Sequence, residues 1–344
     1  MQRETILIAS PLEEEYVARI RALDPDRIEV LFEPDLLPRT RYRNDHKGAP
    51  FTRDARQRAL WQALMRRATI SWDIPAAEDL AIAEGLRWIQ GTSTGVGQHI
   101  NRLGLVERDI LVTTARGVHA RPLAEFVFMA LLAHWRGMAY LRAEQRARRW
   151  VRYCTEEVAG RTLVIVGAGD LARGAAKIAK ALEMRVVALA RDPAKARDHA
   201  ELFDEIRPVS ALHAALGRAD AVLVTVPHTP ETERIIDVAA IAAMRPGAAF
   251  VNIARGQVVD EAALIAALRT GHIGFAALDV AEVEPLPADS PLWDLPNVLI
   301  SPHSASTPPS ENERILDIFL HNLRCWLDGR LGDMHNILDK RLMY

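Results

Sequence analysis

The sequence predicts a pair of α/β domains, each a parallel sheet covered by helices, on the strength of three observations. Apolar, strand-like runs alternate with helix-period segments twice, once before residue 117 and again from residue 162. The length of 344 residues is enough for two domains of ~100–200 residues each. A glycine-rich turn at 167–172 falls where the second series passes from its first strand to its first helix. Repeated strand–helix order makes neighbouring strands parallel, because each helix carries the chain back to the same end of the sheet.

In the first series, 6–9 is a short apolar run, 12–23 carries apolar residues at helical spacing, and 28–32 reads as a second strand. Residues 34–54 are rich in Pro, Arg and Asp with no sustained period, which predicts a loop. A helix fits 54–68, and strands fit 70–72, 86–91 and 110–113. One long helix is expected at 122–149. It has Pro122 in its first turn, an apolar stripe of Phe126, Met129, Ala130, Ala133 and Met138, and a solvated, arginine-rich second half. The second series has strands at 163–166, 185–189, 221–226, 249–253, 275–278 and 298–301. Its helices fit 171–182, 237–243, 261–269 and 310–327, giving a doubly wound sheet of about six strands.

Composition narrows the function classes. Apolar residues at 49% and charged residues at 26% exclude a disordered chain, a collagen-like chain and a disulfide scaffold. A net charge of −2 provides no basic field to attract nucleic acid. The two cysteines, Cys154 and Cys325, fit free thiols in a reducing cytoplasm. No apolar stretch approaches the ~18 residues of a membrane span, and residues 1–5 run straight into a strand candidate, so neither a membrane anchor nor a secretory signal is expected.

The turn Gly167-Ala168-Gly169-Asp170-Leu171-Ala172 reads G-x-G-x-x-A after the hydrophobic strand 163–166. In a strand–turn–helix–strand setting this is the Rossmann dinucleotide fingerprint. Gly167 permits the tight turn, Gly169 lets the backbone approach a pyrophosphate, and Ala172 replaces the third glycine where helix and strand pack closely. The helix opening at Asp170 and Leu171 offers N–H groups and a positive dipole end to the phosphates. At the end of the next strand an Asp or Glu would bind the ribose hydroxyls of NAD, whereas a basic residue would accommodate the 2′-phosphate of NADP. Ala190 stands there with Arg191 beside it, so NADP(H) is favoured over NAD(H). Asp192 is the only nearby acid, and it takes the ribose if the strand runs two residues further.

Three more strand ends carry polar chemistry: Asn252-Ile253-Ala254-Arg255 with Asp260, Leu278-Asp279-Val280 followed by Glu282 and Glu284-Pro285, and Ser301-Pro302-His303 running to Ser306. The carboxyl ends of strands in open α/β sheets line the ligand crevice, so an Arg, a Glu and a His could converge on one ligand.

Those blocks occur in order with Thr225-Val226-Pro227-His228-Thr229-Pro230-Glu231-Thr232, Gly117-Val118-His119-Ala120, Leu123-Ala124-Glu125 and a closing stretch at 336–344. Together they make the sequence resemble the D-isomer-specific 2-hydroxyacid dehydrogenases, whose members include phosphoglycerate, glycerate, D-lactate and hydroxypyruvate/glyoxylate enzymes. The resemblance implies a flavodoxin-like substrate domain, 1–117 with 308–344, interrupted by a Rossmann cofactor domain, 118–307, with hinge crossings near 117–119 and 306–309. It implies Arg255, Glu284 and His303 as the catalytic trio, with Glu284 preferred to Glu282 because the family's glutamate directly precedes the proline. Asp279 matches the residue that contacts the nicotinamide carboxamide. Val226, Pro227, Thr232, Ile253, Ala254 and Ser306, with Arg255 and His303, fall at cofactor-contacting positions. The backbone of Thr94, Gly95 and Val96 matches the segment that holds the substrate carboxylate. The family usually has Asp where Gly97 stands and an apolar residue where His228 stands, so the sequence departs from the pattern at both places. A homodimer built on the 122–149 helix is implied, with a small 2-oxoacid or 2-hydroxyacid as the other partner. Formate- or phosphite-type oxidation and a dinucleotide-sensing corepressor are the competing uses of the same fold.

The chemistry fits these roles. In the reducing direction, charge builds on the C2 oxygen of a 2-oxoacid as hydride arrives. A histidine is suited to donate a proton to it near neutral pH. A glutamate on the other ring nitrogen fixes the tautomer, and an arginine holds the carboxylate and polarises the carbonyl.

Overall fold

The computed structural model describes residues 3–343. Within it the chain divides into two compact units, Met1–Val118 with Thr307–Tyr344, and His119–Ser306. Each is built on one all-parallel sheet.

The first unit has five strands: β1 (Glu4–Ile8), β2 (Ile28–Leu31), β3 (Ile70–Trp72), β4 (Trp88–Gln90) and β5 (Leu111–Thr113), in the order β2-β1-β3-β4-β5. That is the flavodoxin-type order, with its switch point between β1 and β3. Ile6, Leu7 and Ile8 are consecutive and all buried, as expected of a parallel strand covered on both faces. The helix Glu311–Leu327 returns to cover this sheet, and its Phe319 ring packs 5.4 Å from Trp72 and 5.2 Å from Trp88. Asp54 caps the helix Ala55–Arg67 through a reciprocal bond with Gln57, which fixes its start one residue after the position expected from sequence. Among the described residues of 34–54 there is one short 3-10 turn, Pro34–Leu36, and no strand. Cys325 is buried in this unit's core and is a free thiol, as is exposed Cys154 in the other unit.

The second unit has seven strands: β6 (Thr162–Val166), β7 (Arg185–Ala190), β8 (Glu205–Pro208), β9 (Ala221–Val224), β10 (Ala248–Asn252), β11 (Ile273–Leu278) and β12 (Val298–Ile300). Their order, β8-β7-β6-β9-β10-β11-β12, places the switch point between β6 and β9. The expected six-strand sheet gains β8, a four-residue edge strand of Glu, Ile, Arg and Pro. Its polarity hides it from an apolar pattern, and Pro208 is tolerated because it sits at the edge.

The single helix expected at 122–149 is two helices, Ala120–Trp135 and Met138–Arg146. Gly137 between them has φ +67°, a left-handed conformation that ends the first helix at Arg136 and restarts the chain in a new direction. Ala120–Trp135 crosses the helix Asp170–Ala181 closely: a Cβ at Gly174 would lie 2.9 Å from Ala120 O. No helix among the described residues is long and apolar enough to cross a membrane.

Candidate active site

The fingerprint turn follows β6 at the switch point. Gly167 has φ +121°, and a Cβ there would meet Thr225 Oγ1 at 2.4 Å, so glycine is required twice over. Thr225 leaves the end of β9, and its hydroxyl donates to Val166 O at 3.0 Å, so it pins the two central strand ends together. Around Gly169 there is no heavy atom within 4 Å of a would-be Cβ, which leaves the backbone open to a bulky group. Asp170 and Leu171 begin the helix immediately after it. Ala172 is fully buried at the helix–sheet contact, and Gly174 supplies the close helix–helix approach that the fingerprint alone did not announce. This combination fits a dinucleotide pyrophosphate: an open glycine backbone leading into a twelve-residue helix whose N–H groups face the turn.

β7 ends at Ala190, which is buried, and Arg191 is the first exposed residue beyond it. The strand does not run on to Asp192. That carboxylate caps the short helix Pro193–Ala196, with Oδ1 accepting from Ala194 N at 3.0 Å and Lys195 N at 3.4 Å. Across β9, Thr232 Oγ1 accepts from Thr229 N at 2.8 Å and donates to Pro227 O at 2.6 Å, which fixes the turn that follows Val226. His228 in that turn is paired with Glu233.

The three polar blocks at the ends of β10, β11 and β12 meet. Asn252, buried at the end of β10, accepts from Ala254 N at 3.0 Å and donates to Arg255 O at 3.0 Å, so it locks the turn Ile253–Arg255. The next residue decides where that turn can lie. A Cβ at Gly256 would fall 1.9 Å from Ala281 O and 2.3 Å from Glu282 N, so only glycine lets this turn press against the 281–284 loop. Arg255 and Glu284 come close through that approach. Burial pulls the Arg255 guanidinium below its ordinary value, and the charges of Glu284 and Asp279 oppose the shift. An arginine so placed keeps its proton.

Glu284 Oε2 lies 2.8 Å from His303 Nδ1, and its Oε1 accepts from Ala281 N at 3.2 Å. Burial works against the carboxylate, but His303, the Ala281 N–H and Arg255 hold it below its ordinary range, so it is ionised at neutral pH. Glu282 has a different task. It pairs with Arg234 at 3.1 Å, its N–H donates to Glu261, and its carbonyl accepts from Gln257. The geometry therefore separates two glutamates that the sequence places two residues apart.

Asp279 organises the loop that carries His303. Its Oδ1 accepts from Ser301 Oγ at 2.6 Å and from Ser304 N and Ala305 N at 3.0 Å, and its carbonyl accepts from His303 N at 2.9 Å. Burial raises its carboxyl despite these bonds. His303 is held at φ +53°, a left-handed conformation uncommon for a residue with a Cβ, and this fourfold anchorage is what sustains it. Ser306 closes the same loop at the boundary of its unit. The anchoring role of Asp279 and the close approach at Gly256 were not legible from the motifs. Their only sequence signals are a serine before Pro302 and a glycine after Arg255.

Thr94, Gly95 and Val96 belong to the other unit, in the loop after β4. Ala115 N donates to Ser93 O at 3.2 Å, and Thr94 Oγ1 donates to Ala115 O at 3.3 Å, so the loop is strapped to the segment after β5. Val96 N–H donates to Thr94 O at 3.1 Å, so an anion using that N–H must share or displace this bond. The short helix Gly97–Arg102 follows.

The model of the D-isomer specific 2-hydroxyacid dehydrogenase NAD binding domain matches residues 128–305. The chain is 40% identical over 221 residues to (S)-sulfolactate dehydrogenase of Chromohalobacter salexigens, covering 63% of this chain and 70% of that protein. It is 36% identical over 259 residues to D-3-phosphoglycerate dehydrogenase of Mycobacterium leprae; this match covers 74% of this chain and about half, 47%, of that protein. A solved D-isomer specific 2-hydroxyacid dehydrogenase from Xanthobacter autotrophicus, in complex with NADPH and MES, superposes with a TM-score of 0.79 at 29% identity, covering 99% of this chain and 100% of that one. The chain belongs to the D-isomer specific 2-hydroxyacid dehydrogenase family and is an oxidoreductase that moves hydride between a nicotinamide cofactor and a 2-hydroxyacid/2-oxoacid pair.

Proposed function

We propose that this enzyme reduces short 2-oxoacids such as glyoxylate and hydroxypyruvate to D-2-hydroxyacids, with NADPH preferred to NADH and His303 as the general acid. The observation that carries this reading is the 2.8 Å pair between Glu284 and His303, set beside a half-buried Arg255. The cofactor, when bound, supplies a hydride at C4 of its nicotinamide. The Rossmann unit's residues would seat it: the backbone at Gly167, Gly169, Asp170 and Leu171 for the pyrophosphate, with Val226, Pro227, Thr232, Ile253, Ala254, Asp279 and Ser306 along its length. Arg255 pairs with the substrate carboxylate and polarises the C2 carbonyl; in the other unit, the backbone of Thr94, Gly95 and Val96 is the segment that the family resemblance assigns to carboxylate binding. Nε2 of His303 donates its proton to the C2 oxygen, while Glu284 on Nδ1 keeps the ring oriented and favours its charged form.

A panel of 2-oxoacids followed by loss of NADPH absorbance tests the reading, with chiral chromatography of the product. The expected products are D (R for simple acids), and a predominantly L product from pyruvate or hydroxypyruvate contradicts it. The corepressor and formate- or phosphite-type readings are not favoured, since the matched relatives are named as sulfolactate and phosphoglycerate dehydrogenases and the matching family model as D-isomer specific 2-hydroxyacid dehydrogenase.

Three observations support NADPH. Ala190 places no acid at the end of β7, Asp192 is occupied as a helix cap, and Arg191 is the first exposed residue beyond the strand, where this fold class meets the ribose end of the cofactor. A charge-assisted contact of this kind contributes about 1.5–3 kcal/mol, or roughly ten- to hundredfold in kcat/KM. Arg191→Ala is expected to remove that preference through the KM for NADPH. A wild-type preference for NADH, unchanged in the variant, would make Arg191 an ordinary surface residue.

A homodimer is supported by the exposed apolar side chains of Met129, Met138 and Leu141 on Ala120–Trp135 and Met138–Arg146, continued by Trp150, Val151 and Tyr153. The two free thiols support a reducing, cytoplasmic setting.

A further inference from the structure

We propose that residues 336–343 are a positioning element for the 94–96 loop, gripping it from both sides and so setting the affinity for the 2-oxoacid carboxylate. The proposal rests on the reading of that loop as the carboxylate site. Two separate contacts make the grip. On one side, Asn336 exchanges bonds with the segment after β5: Thr114 N donates to Asn336 O at 3.0 Å, and Asn336 Nδ2 donates to Thr114 O at 3.2 Å and to Arg116 O at 2.8 Å. That segment in turn holds Ser93 and Thr94 through Ala115. On the other side, Met343 lies directly on Gly97. A Cβ at Gly97 would fall 2.3 Å from Met343 O, 2.4 Å from its Cβ and 2.8 Å from its Cα.

The segment is built to hold those positions. Leu338 is buried, and its N–H donates to Val112 O at 2.8 Å. The ammonium of Lys340 donates to three carbonyls, Leu105 at 3.0 Å, Arg108 at 2.6 Å and Ile110 at 2.9 Å. Asp339 shapes the turn that delivers Met343: its Oδ1 accepts from Arg341 N and Leu342 N, and its carbonyl accepts from Met343 N at 2.8 Å. The clash also accounts for the glycine at 97. The space an aspartate side chain would take there is filled by backbone from residue 343, so in this chain the segment replaces a side chain as the neighbour of the loop.

A double-variant cycle tests this. A chain ending at Lys340 keeps the three-carbonyl anchor and removes the Met343 contact. Gly97→Ala in the full chain forces a collision at the same place. Each is expected to raise the KM for the 2-oxoacid about tenfold or more, since misplacement by ~1 Å can cost ~10²-fold. The KM for NADPH and the melting temperature should be kept. In the shortened chain Gly97→Ala should add little, because the atoms it strikes are gone. Hydrogen exchange at the amides of residues 93–100 should quicken in the shortened chain. Unchanged exchange, or a Gly97→Ala effect of equal size in both chains, overturns the proposal. Faster exchange with an unchanged KM for the 2-oxoacid overturns instead the assignment of the loop as the carboxylate site.

Discussion

His303→Ala is expected to lower kcat for 2-oxoacid reduction by about 10²–10⁴, the usual worth of a positioned general acid, with cofactor affinity kept. The cofactor half follows from the fold. The proposed pyrophosphate turn is fixed by Gly167, by the Thr225 hydroxyl bonded to Val166 O and by the helix Asp170–Ala181, whereas the His303 loop is held by Asp279. The kcat half follows from the 2.8 Å bond to Glu284, which leaves Nε2 as the nitrogen available for chemistry. Alanine also relaxes little of the loop itself, because Asp279 grips the backbone and Ser301 rather than the imidazole. Stopped-flow hydride transfer at saturating cofactor, with cofactor affinity from fluorescence titration, measures both halves. Turnover near wild type in this variant removes His303 from the mechanism.

Arg255→Ala is expected to damage both KM for the 2-oxoacid and kcat, by about 10²–10⁴ in kcat/KM. The estimate combines two charge-assisted bonds, to carboxylate and to carbonyl, at about 1.5–3 kcal/mol each. The side chain is half-buried and balanced by Glu284 and Asp279, so its loss also removes a positive charge from the surroundings of both carboxylates. Arg255→Lys keeps the charge and loses the planar fork. It should recover part of kcat and less of the KM, because bidentate binding is what a single ammonium cannot reproduce. Equal kinetics for the lysine and wild-type enzymes would show that the arginine acts as a point charge only.

Much of the architecture was legible because parallel strands buried on both faces read as continuous apolar runs. Val164, Ile165 and Val166, or Val222, Leu223 and Val224, announce themselves. What the pattern missed has physical reasons. β8 is polar because only one of its edges is paired, and the 122–149 region keeps helical spacing across Gly137, whose left-handed φ breaks it. At the site, side chains with distinctive chemistry were visible: Arg255, Glu284 and His303 each follow a strand. The residues that bring them together were not. Gly256 matters through the space it leaves against Ala281, Asp279 through the four bonds that hold the His303 loop, and Asn252 through two bonds to one turn. Such roles depend on long-range approach, which local sequence does not encode. Gly97 is the clearest instance: a departure from the family pattern acquires a reason only when residue 343, far away in sequence, is found against it.

The Glu284–His303 pair is the centre of this account, and the pH dependence of kcat/KM for reduction in wild type and Glu284→Gln tests it most directly. In the proposed mechanism reduction needs the charged imidazole. Glu284 is held below its ordinary 4.5, so at neutral pH it is an anion bonded to that ring and stabilises the proton there. The amide of glutamine preserves the shape and removes the charge. The sign follows: the variant should lose reduction activity at lower pH than wild type. Substrate KM at low pH should change little. Superimposable profiles, or a limb moved to higher pH, would contradict the pair's assigned role.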